Sequence, residues 1–286
     1  MKLALGTAQF GMDYGIANSS GSITEKTAKS ILGLASKHNV NMLDTASEYG
    51  NSESALGNAN IEAFDIITKL PAQVDGDIES WCTKSIDRSL KKLKADSVYG
   101  LLLHRPDQLI RSDADRLIRK INELKNNGII KKFGISIYNP NDLEFVLNKI
   151  QPDIVQAPFN IIDKRIQTSG WLDKLYDQGV EIHCRSVFLQ GLLLIPREKI
   201  PSKFKPWIGL LNRWHDWLEH HSIEPYKACL HSINTHQIER LVVGIDNYQQ
   251  CQDLINASNE TVNVDSYPDI TSNDAKLINP SFWQSL

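Results

Sequence analysis

A chain of 286 residues with 41% apolar and 23% charged side chains can build a large core, which excludes the disordered and fibrous classes. Its 31 Lys and Arg against 34 Asp and Glu leave a formal charge of -3 with no long run of either sign, so no nucleic-acid partner is expected. Cys82, Cys184, Cys229 and Cys251 form no CxxC pair, which excludes a disulfide framework or zinc knuckle and favours a reducing, cytoplasmic setting.

Neither a secretory leader nor a membrane span is expected. The opening residues lack an apolar leader core, and the longest apolar stretch, Val187 to Pro196, is interrupted by Gln190 and far too short. The length admits two domains, or one (β/α)8 barrel of about 250 residues plus insertions.

Short apolar runs rich in β-branched residues alternate with segments of helical period along nearly the whole chain. The runs begin near Leu3, Asn41, Asp65, Ser97, Lys132, Ile154, Val180 and Arg240. After the first, Ser22 and Glu25 have capping-box spacing and Ala28, Ile31, Leu32 and Ala35 form an apolar stripe, predicting a helix that stops at Asn39. Further helices are predicted over Asp77 to Lys94, Asp113 to Asn127, Pro140 to Ile150 and Ser169 to Gln178.

The interval from Val180 to Arg240 is the longest and carries extra segments: loop over Gly191 to Pro206, then helices over Trp207 to His221 and Glu224 to Asn234. A last helix starts near Tyr248, and residues 257–286, with Pro268 and Pro280, read as a C-terminal tail.

Runs such as Leu101-Leu102-Leu103 and Leu241-Val242-Val243 are apolar on both faces, as parallel strands covered by helices require. Eight such units predict an α/β fold, a closed (β/α)8 TIM barrel forming a single domain with an extended segment between strands seven and eight. An open doubly wound sheet is disfavoured, because Gly6-Thr7-Ala8-Gln9-Phe10-Gly11 lacks GxGxxG spacing.

In such a barrel the loops leaving the C-terminal strand ends build the site. Three consecutive strands end on Asp44, Lys69 and His104, and Tyr49 follows five residues after Asp44. Singly, each has an ordinary role as turn cap, snorkelling lysine or core histidine. Together they make a coherent acid site. A buried lysine needs an anion, which Asp44 supplies. The resulting ammonium is expected to lower the Tyr49 pKa, making its phenol a proton donor, while His104 orients the accepting oxygen.

With Gly6-Thr7-Ala8, Leu43-Asp44-Thr45-Ala46, Tyr49-Gly50, Ser52-Glu53, Thr68-Lys69, Leu102-Leu103-His104, Gly134-Ile135-Ser136, Gln156 and Asn160, the sequence resembles the aldo-keto reductase superfamily over nearly its whole length. The resemblance implies a barrel that binds a nicotinamide cofactor and reduces aldehydes or ketones, with Asp44, Tyr49, Lys69 and His104 as catalytic tetrad. It also implies cofactor contacts from Gly6, Thr7, Ala8, Asp44, Ser136, Gln156, Arg185, Ser186, Phe188, Leu189, Gly191, Gly244, Asn247 and Gln250.

In this set Ser136 and Gln156 match carboxamide-binding positions, though the usual Asn after the serine is Ile137. Arg185 stands where many members place an aromatic that stacks on nicotinamide; a planar guanidinium can stack too, or bind phosphate. Backbone amides from Phe188 to Gly191 are expected near the pyrophosphate. No Lys or Arg lies between Arg240 and Lys276, where NADPH-specific relatives hold the 2'-phosphate, so NADP(H) is favoured over NAD(H) only modestly.

Tyr14, Arg105 and Trp207, with Tyr49 and His104, are the expected substrate contacts, and the substrate is a small-molecule carbonyl compound, a sugar derivative by weak family association. His215, His220 and His221 are expected on a solvated helix face, with no metal site. Two rival readings keep the barrel: a Schiff-base aldolase with Lys69 as nucleophile, and a cofactor-binding redox-sensing subunit without turnover. Oligomeric state is not legible.

Overall fold

Eight apolar runs become eight parallel strands: β1 (Leu3–Gly6), β2 (Met42–Asp44), β3 (Asp65–Leu70), β4 (Val98–Leu103), β5 (Ile130–Ser136), β6 (Ile154–Pro158), β7 (Glu181–Arg185) and β8 (Arg240–Gly244). In this computed structural model, which describes residues 2–18, 21–72, 76–233 and 235–286, each strand pairs with the next. The ring closes through β8 on β1, with Leu5 opposite Val243 and Gly6 opposite Gly244. The result is a single-domain (β/α)8 barrel, as the alternating pattern predicted.

Closure creates two apolar regions. A small plug of Ala4, Met42, Ile67, Leu102, Ile154 and Val242 fills the lumen. The opposite faces of the same strands, with Leu43, Leu101, Leu103, Ile135 and Val155, join the helices in the larger core. This two-sided burial explains why the strands read as unbroken apolar runs.

The main outer helices are α1 (Glu25–Lys37), α3 (Ile78–Leu93), α4 (Ala114–Asn126), α5 (Asp142–Leu147), α7 (Trp171–Asp177), α8 (Ile208–His221), α9 (Pro225–His231) and α10 (Tyr248–Asn259). Two short helices, α2 (Ser52–Gly57) and α6 (Arg165–Thr168), lacked a periodic signature because one turn cannot show a stripe. Helix α1 is capped by Thr24, whose hydroxyl accepts the Thr27 N–H at 3.2 Å, and Ser22 lies outside the helix. The Glu224-to-Asn234 helix ends observably at His231, and Asn234 lies outside the described residues.

Helix α10 extends to Asn259, so the tail begins three residues later than position 257. The tail is folded onto the barrel: Ile270, Leu277, Ile278 and Trp283 are buried, and Ser272 N–H donates to Ile162 O in the loop after β6. A short helix, α11 (Ala275–Ile278), lies in it. The histidine expectation is corrected: His215 is buried and His221 packs 4.4 Å from the Trp217 ring, which leaves only His220 of the three exposed to solvent. Among the described residues no helix is long and apolar enough to cross a membrane.

Candidate active site

At the C-terminal mouth, Asp44 closes β2 and Lys69 lies one residue before the end of β3. Their inward side chains meet: Lys69 Nζ lies 2.6 Å from Asp44 Oδ1 and donates to Thr45 O at 2.9 Å. Both side chains are almost wholly buried, at 1% and 4% exposure, so neither charge survives there without the other. Burial draws the Lys69 pKa below its ordinary value against the raising pull of Asp44. The second carboxylate oxygen, Asp44 Oδ2, accepts from Gln156 Nε2 at 2.7 Å.

Tyr49 is delivered by the turn between β2 and α2. Lys69 Nζ stands 5.1 Å from its ring centroid, and the His104 ring meets it edge-on at 5.9 Å. The four predicted residues therefore share one pocket.

Hydroxyls pin the turn. Ser52 donates to Thr7 at 2.7–2.8 Å, Thr7 Oγ1 donates to Asp44 O at 3.0 Å, and Thr45 Oγ1 lies 3.0 Å from Ser52 Oγ. Two glycines let the backbones touch. A Cβ on Gly11 would collide with Tyr49 O and Ser52 N, and Gly50 adopts φ +57° with its Cβ position against Gly11 O. Gly11→Ala is expected to displace Tyr49, lowering turnover and cutting stability by about 1–3 kcal/mol. Unchanged activity and melting temperature would show that the contact yields freely.

One electrostatic expectation is corrected. The Tyr49 pKa lies above, not below, its ordinary value, because desolvation of the phenol is the largest influence and the Asp44 carboxylate adds to it. Tyr49 as a residue is only half-buried, yet its hydroxyl is deep in the mouth. Lys69 sits over the ring face, where it favours the neutral aromatic as well as the anion. The phenol accordingly stays protonated at neutral pH, which is the form a donor must have.

His104 is held below the ordinary histidine value, chiefly by burial, with the Lys69 and Arg185 charges adding and Glu48 opposing. Glu48 Oε2 stands 3.0 Å from His104 Nδ1, within ion-pair distance though not aligned as a hydrogen bond. The contact lowers the Glu48 pKa to about 2.

The signs give separate pH windows. A neutral folded imidazole means that the unfolded chain takes up the proton first as pH falls through about 6.5, so stability falls there. The Glu48 contribution is complete above its ordinary value and is lost only as pH drops toward about 2. Melting temperature is therefore expected to fall between about pH 7.5 and pH 5.5, and less steeply in His104→Gln. Equal slopes for the two proteins would contradict this assignment.

Ser136 and Gln156 are buried opposite each other on β5 and β6, and Gln156 Oε1 is a buried acceptor without a partner among the described residues. Gly6 ends β1 beside the mouth, while Thr7 and Ala8 are buried, the Thr7 hydroxyl being committed to Asp44 O. Tyr14 is exposed as a residue, but its hydroxyl turns inward to accept from Gln190 Nε2 at 3.0 Å, and desolvation of that hydroxyl pushes its pKa to about 12.

The loop after β7 has left-handed residues at Ser186, Leu189 and Gln190 and positive φ at Gly191. Its amides do not all face outward as expected. Leu189 N–H and Gly191 N–H donate within the loop to Ser186 O and Phe188 O at 2.9 Å, because the tight turns consume them. The Phe188 and Leu189 side chains belong to the core.

After β8, Gly244 faces the Gln9 side chain, and Asn247 caps α10 by accepting Gln250 N–H at 2.9 Å. The Gln250 side chain folds back on Asp246, accepting its N–H at 2.8 Å and donating to its carboxylate at 3.3 Å. Burial raises the Asp246 pKa. Both Asn247 and Gln250 thus have local structural partners.

Arg105 is exposed at the rim, and its charge helps to hold Glu48 ionised. Trp207 is tied instead to the tail, donating to Asp274 Oδ2 at 2.9 Å and packing against Phe204, so the structure does not join it to the cluster. As a Schiff-base nucleophile Lys69 would have to leave both acceptors that hold its ammonium, Asp44 Oδ1 and Thr45 O. Sequence reasoning missed Gln156 as a partner of Asp44 and Glu48 as a partner of His104; neither pairing leaves a local spacing signal.

Comparison with known proteins agrees with this geometry. The chain is 31% identical over 184 residues to the "Uncharacterized oxidoreductase YqkF" of Bacillus subtilis, the match covering 59% of each chain. It is 27% identical to "Oxidoreductase sirO" of Leptosphaeria maculans over 72% of this chain and 65% of that protein. These matches span less than two thirds of either relative's length.

Among solved structures, "aldo-keto reductase AKR11C1" from Bacillus halodurans in its holo form superposes with TM-score 0.75 at 20% identity, covering 92% of this chain and 88% of that one. The "glycerol dehydrogenase AKR11B4" of Gluconobacter oxydans superposes with TM-score 0.71 at 18% identity, covering 91% and 87%. At these identities the superpositions speak for the fold. The aldo/keto reductase family model matches residues 2–275, and with the barrel and the clustered Asp44, Tyr49, Lys69 and His104 on the page, the chain belongs to that family.

Proposed function

We propose that the protein catalyses NAD(P)H-dependent reduction of an aldehyde or ketone to an alcohol. One observation carries the reading: a protonated phenol, Tyr49, is packed between the Lys69–Asp44 ion pair and a neutral His104 at the barrel mouth.

The residues fit a nicotinamide cofactor. The orphaned Gln156 Oε1 is a buried acceptor suited to a carboxamide N–H, and Ser136 stands beside it with a hydroxyl. Gln156 and Ser136 would hold that group, and when bound the cofactor supplies hydride to the carbonyl carbon. Tyr49 donates its proton to the carbonyl oxygen as negative charge develops there. An alkoxide is more basic than a phenolate, so the transfer runs downhill even from a phenol of raised pKa.

Lys69 steadies the phenolate that remains, and Asp44 with Gln156 keeps the ammonium in place. Neutral His104 can donate one ring N–H to the same oxygen and fix the substrate's orientation. Run in reverse, the same groups remove a proton from an alcohol.

NADP(H) is the proposed cofactor ahead of NAD(H), on family resemblance; the β8–α10 corner has no Lys or Arg, and its Asp246 and Gln250 amides are taken up by Gln250 and Asn247. A fluorescence titration is expected to give the lower Kd for NADPH, and tighter NADH binding would reverse the assignment. Catalysis itself is tested by loss of reduced-nicotinamide absorbance with 4-nitrobenzaldehyde and a panel of carbonyl compounds. Turnover with at least one supports the reading. Cofactor binding without turnover across the panel would favour a redox-sensing role, and borohydride trapping of a carbonyl compound on Lys69 would favour the aldolase.

A further inference from the structure

Arg185 ends β7 inside the mouth, and three features set it apart from the other cations. Its guanidinium lies over the Tyr138 ring, Cζ 4.1 Å from the centroid. Its hydrogen-bond partners are neutral: Nη2 donates to Ile137 O at 2.9 Å and Nη1 to Ser186 Oγ at 3.2 Å. Every nearby carboxylate is engaged elsewhere, Asp44 by Lys69, Glu48 by His104 and Asp163 by Arg165.

The fork is therefore preset by a stacked ring and two acceptors, yet it has no counter-charge among the described residues. Its charge reaches the reactive groups: it opposes protonation of Lys69 and His104 and favours the phenolates of Tyr14 and Tyr49.

A half-buried guanidinium without a carboxylate is costly to maintain. Its planar fork suits a carboxylate or phosphate.

We propose that Arg185, stacked on Tyr138, reads an anionic group on the substrate, so that the natural substrate is a carbonyl compound bearing a carboxylate or phosphate. The inference rests on the reductase reading for its chemistry, but binding tests it separately. A second source of the same chemistry is the cofactor's own pyrophosphate, and the measurements distinguish the two.

Two probe pairs differ in charge: 4-carboxybenzaldehyde against its methyl ester, and glyceraldehyde 3-phosphate against glyceraldehyde. The wild type is expected to show higher kcat/KM for the anion in at least one pair. In Arg185→Gln and Arg185→Met that anion-to-neutral ratio is expected to fall by about tenfold or more, the size of a lost charge-assisted pair of hydrogen bonds. Two variants are used so that misfolding of one leaves the other informative.

No anion preference in the wild type, or a ratio that falls by less, overturns the proposal. If Arg185 instead anchors pyrophosphate, both variants bind NADPH more weakly and leave the ratio unchanged, which overturns the proposal. Equilibrium titration of the protein with 4-(hydroxymethyl)benzoate and its methyl ester repeats the comparison without turnover. A protein that reduces none of the four probes, yet binds the benzoate more tightly than the ester in an Arg185-dependent way, would retain the anion site and lose the reductase assignment. Equal affinities there would remove the anion site.

Discussion

Tyr49→Phe is expected to lower kcat for carbonyl reduction by about a factor of 10²–10⁴, the usual contribution of a positioned proton donor. The substitution removes one hydroxyl and keeps the ring that Lys69 and His104 pack against. Gln156 and Ser136 are untouched, so the Kd of the reduced cofactor should change little. The expected signature is thus a fall in kcat without a matching loss of cofactor binding, read by absorbance and fluorescence on the same preparation. Turnover like that of the wild type would mean that another group, or water, supplies the proton.

Lys69→Met carries the largest expected cost in stability. It would leave the Asp44 carboxylate buried with the Gln156 amide but no cation, and breaking one partner of a buried pair costs about 3–5 kcal/mol. Urea unfolding of the variant should show that loss, together with a collapse of kcat, because the phenolate left after proton transfer would lack its neighbouring ammonium. Combining Lys69→Met with Asp44→Asn removes both charges and should recover much of the stability but none of the turnover. A single variant as stable as the wild type would show that Asp44 is satisfied without Lys69.

The barrel was legible because burial on both faces imposes uninterrupted apolar runs, such as Leu101-Leu102-Leu103, that recur in alternation with helical segments. Asp44, Lys69 and His104 were legible for the converse reason: each places a titratable group at the end of an apolar run, where barrel geometry sends it to one mouth. The Tyr49 position followed from its short tether to Asp44.

What stayed hidden depended on closure in space. Gln156 lies 112 residues from Asp44, and only the ring of strands brings its amide to that carboxylate. The direction of the Tyr49 pKa shift also escaped the sequence, because spacing reports which charges are near but not how far water is excluded. Trp207 looked like a substrate contact because an aromatic in a long loop advertises its surface, while its Asp274 partner lies in a tail with no readable period.

The most direct measurement follows the hydrogen atoms. With NADPH carrying deuterium on the transferring face of C4, the alcohol formed from an accepted aldehyde should gain one deuterium on its carbinol carbon, with the hydroxyl proton coming from solvent through Tyr49. Alcohol product free of that label, or cofactor oxidised without any alcohol appearing, would contradict hydride transfer at this pocket.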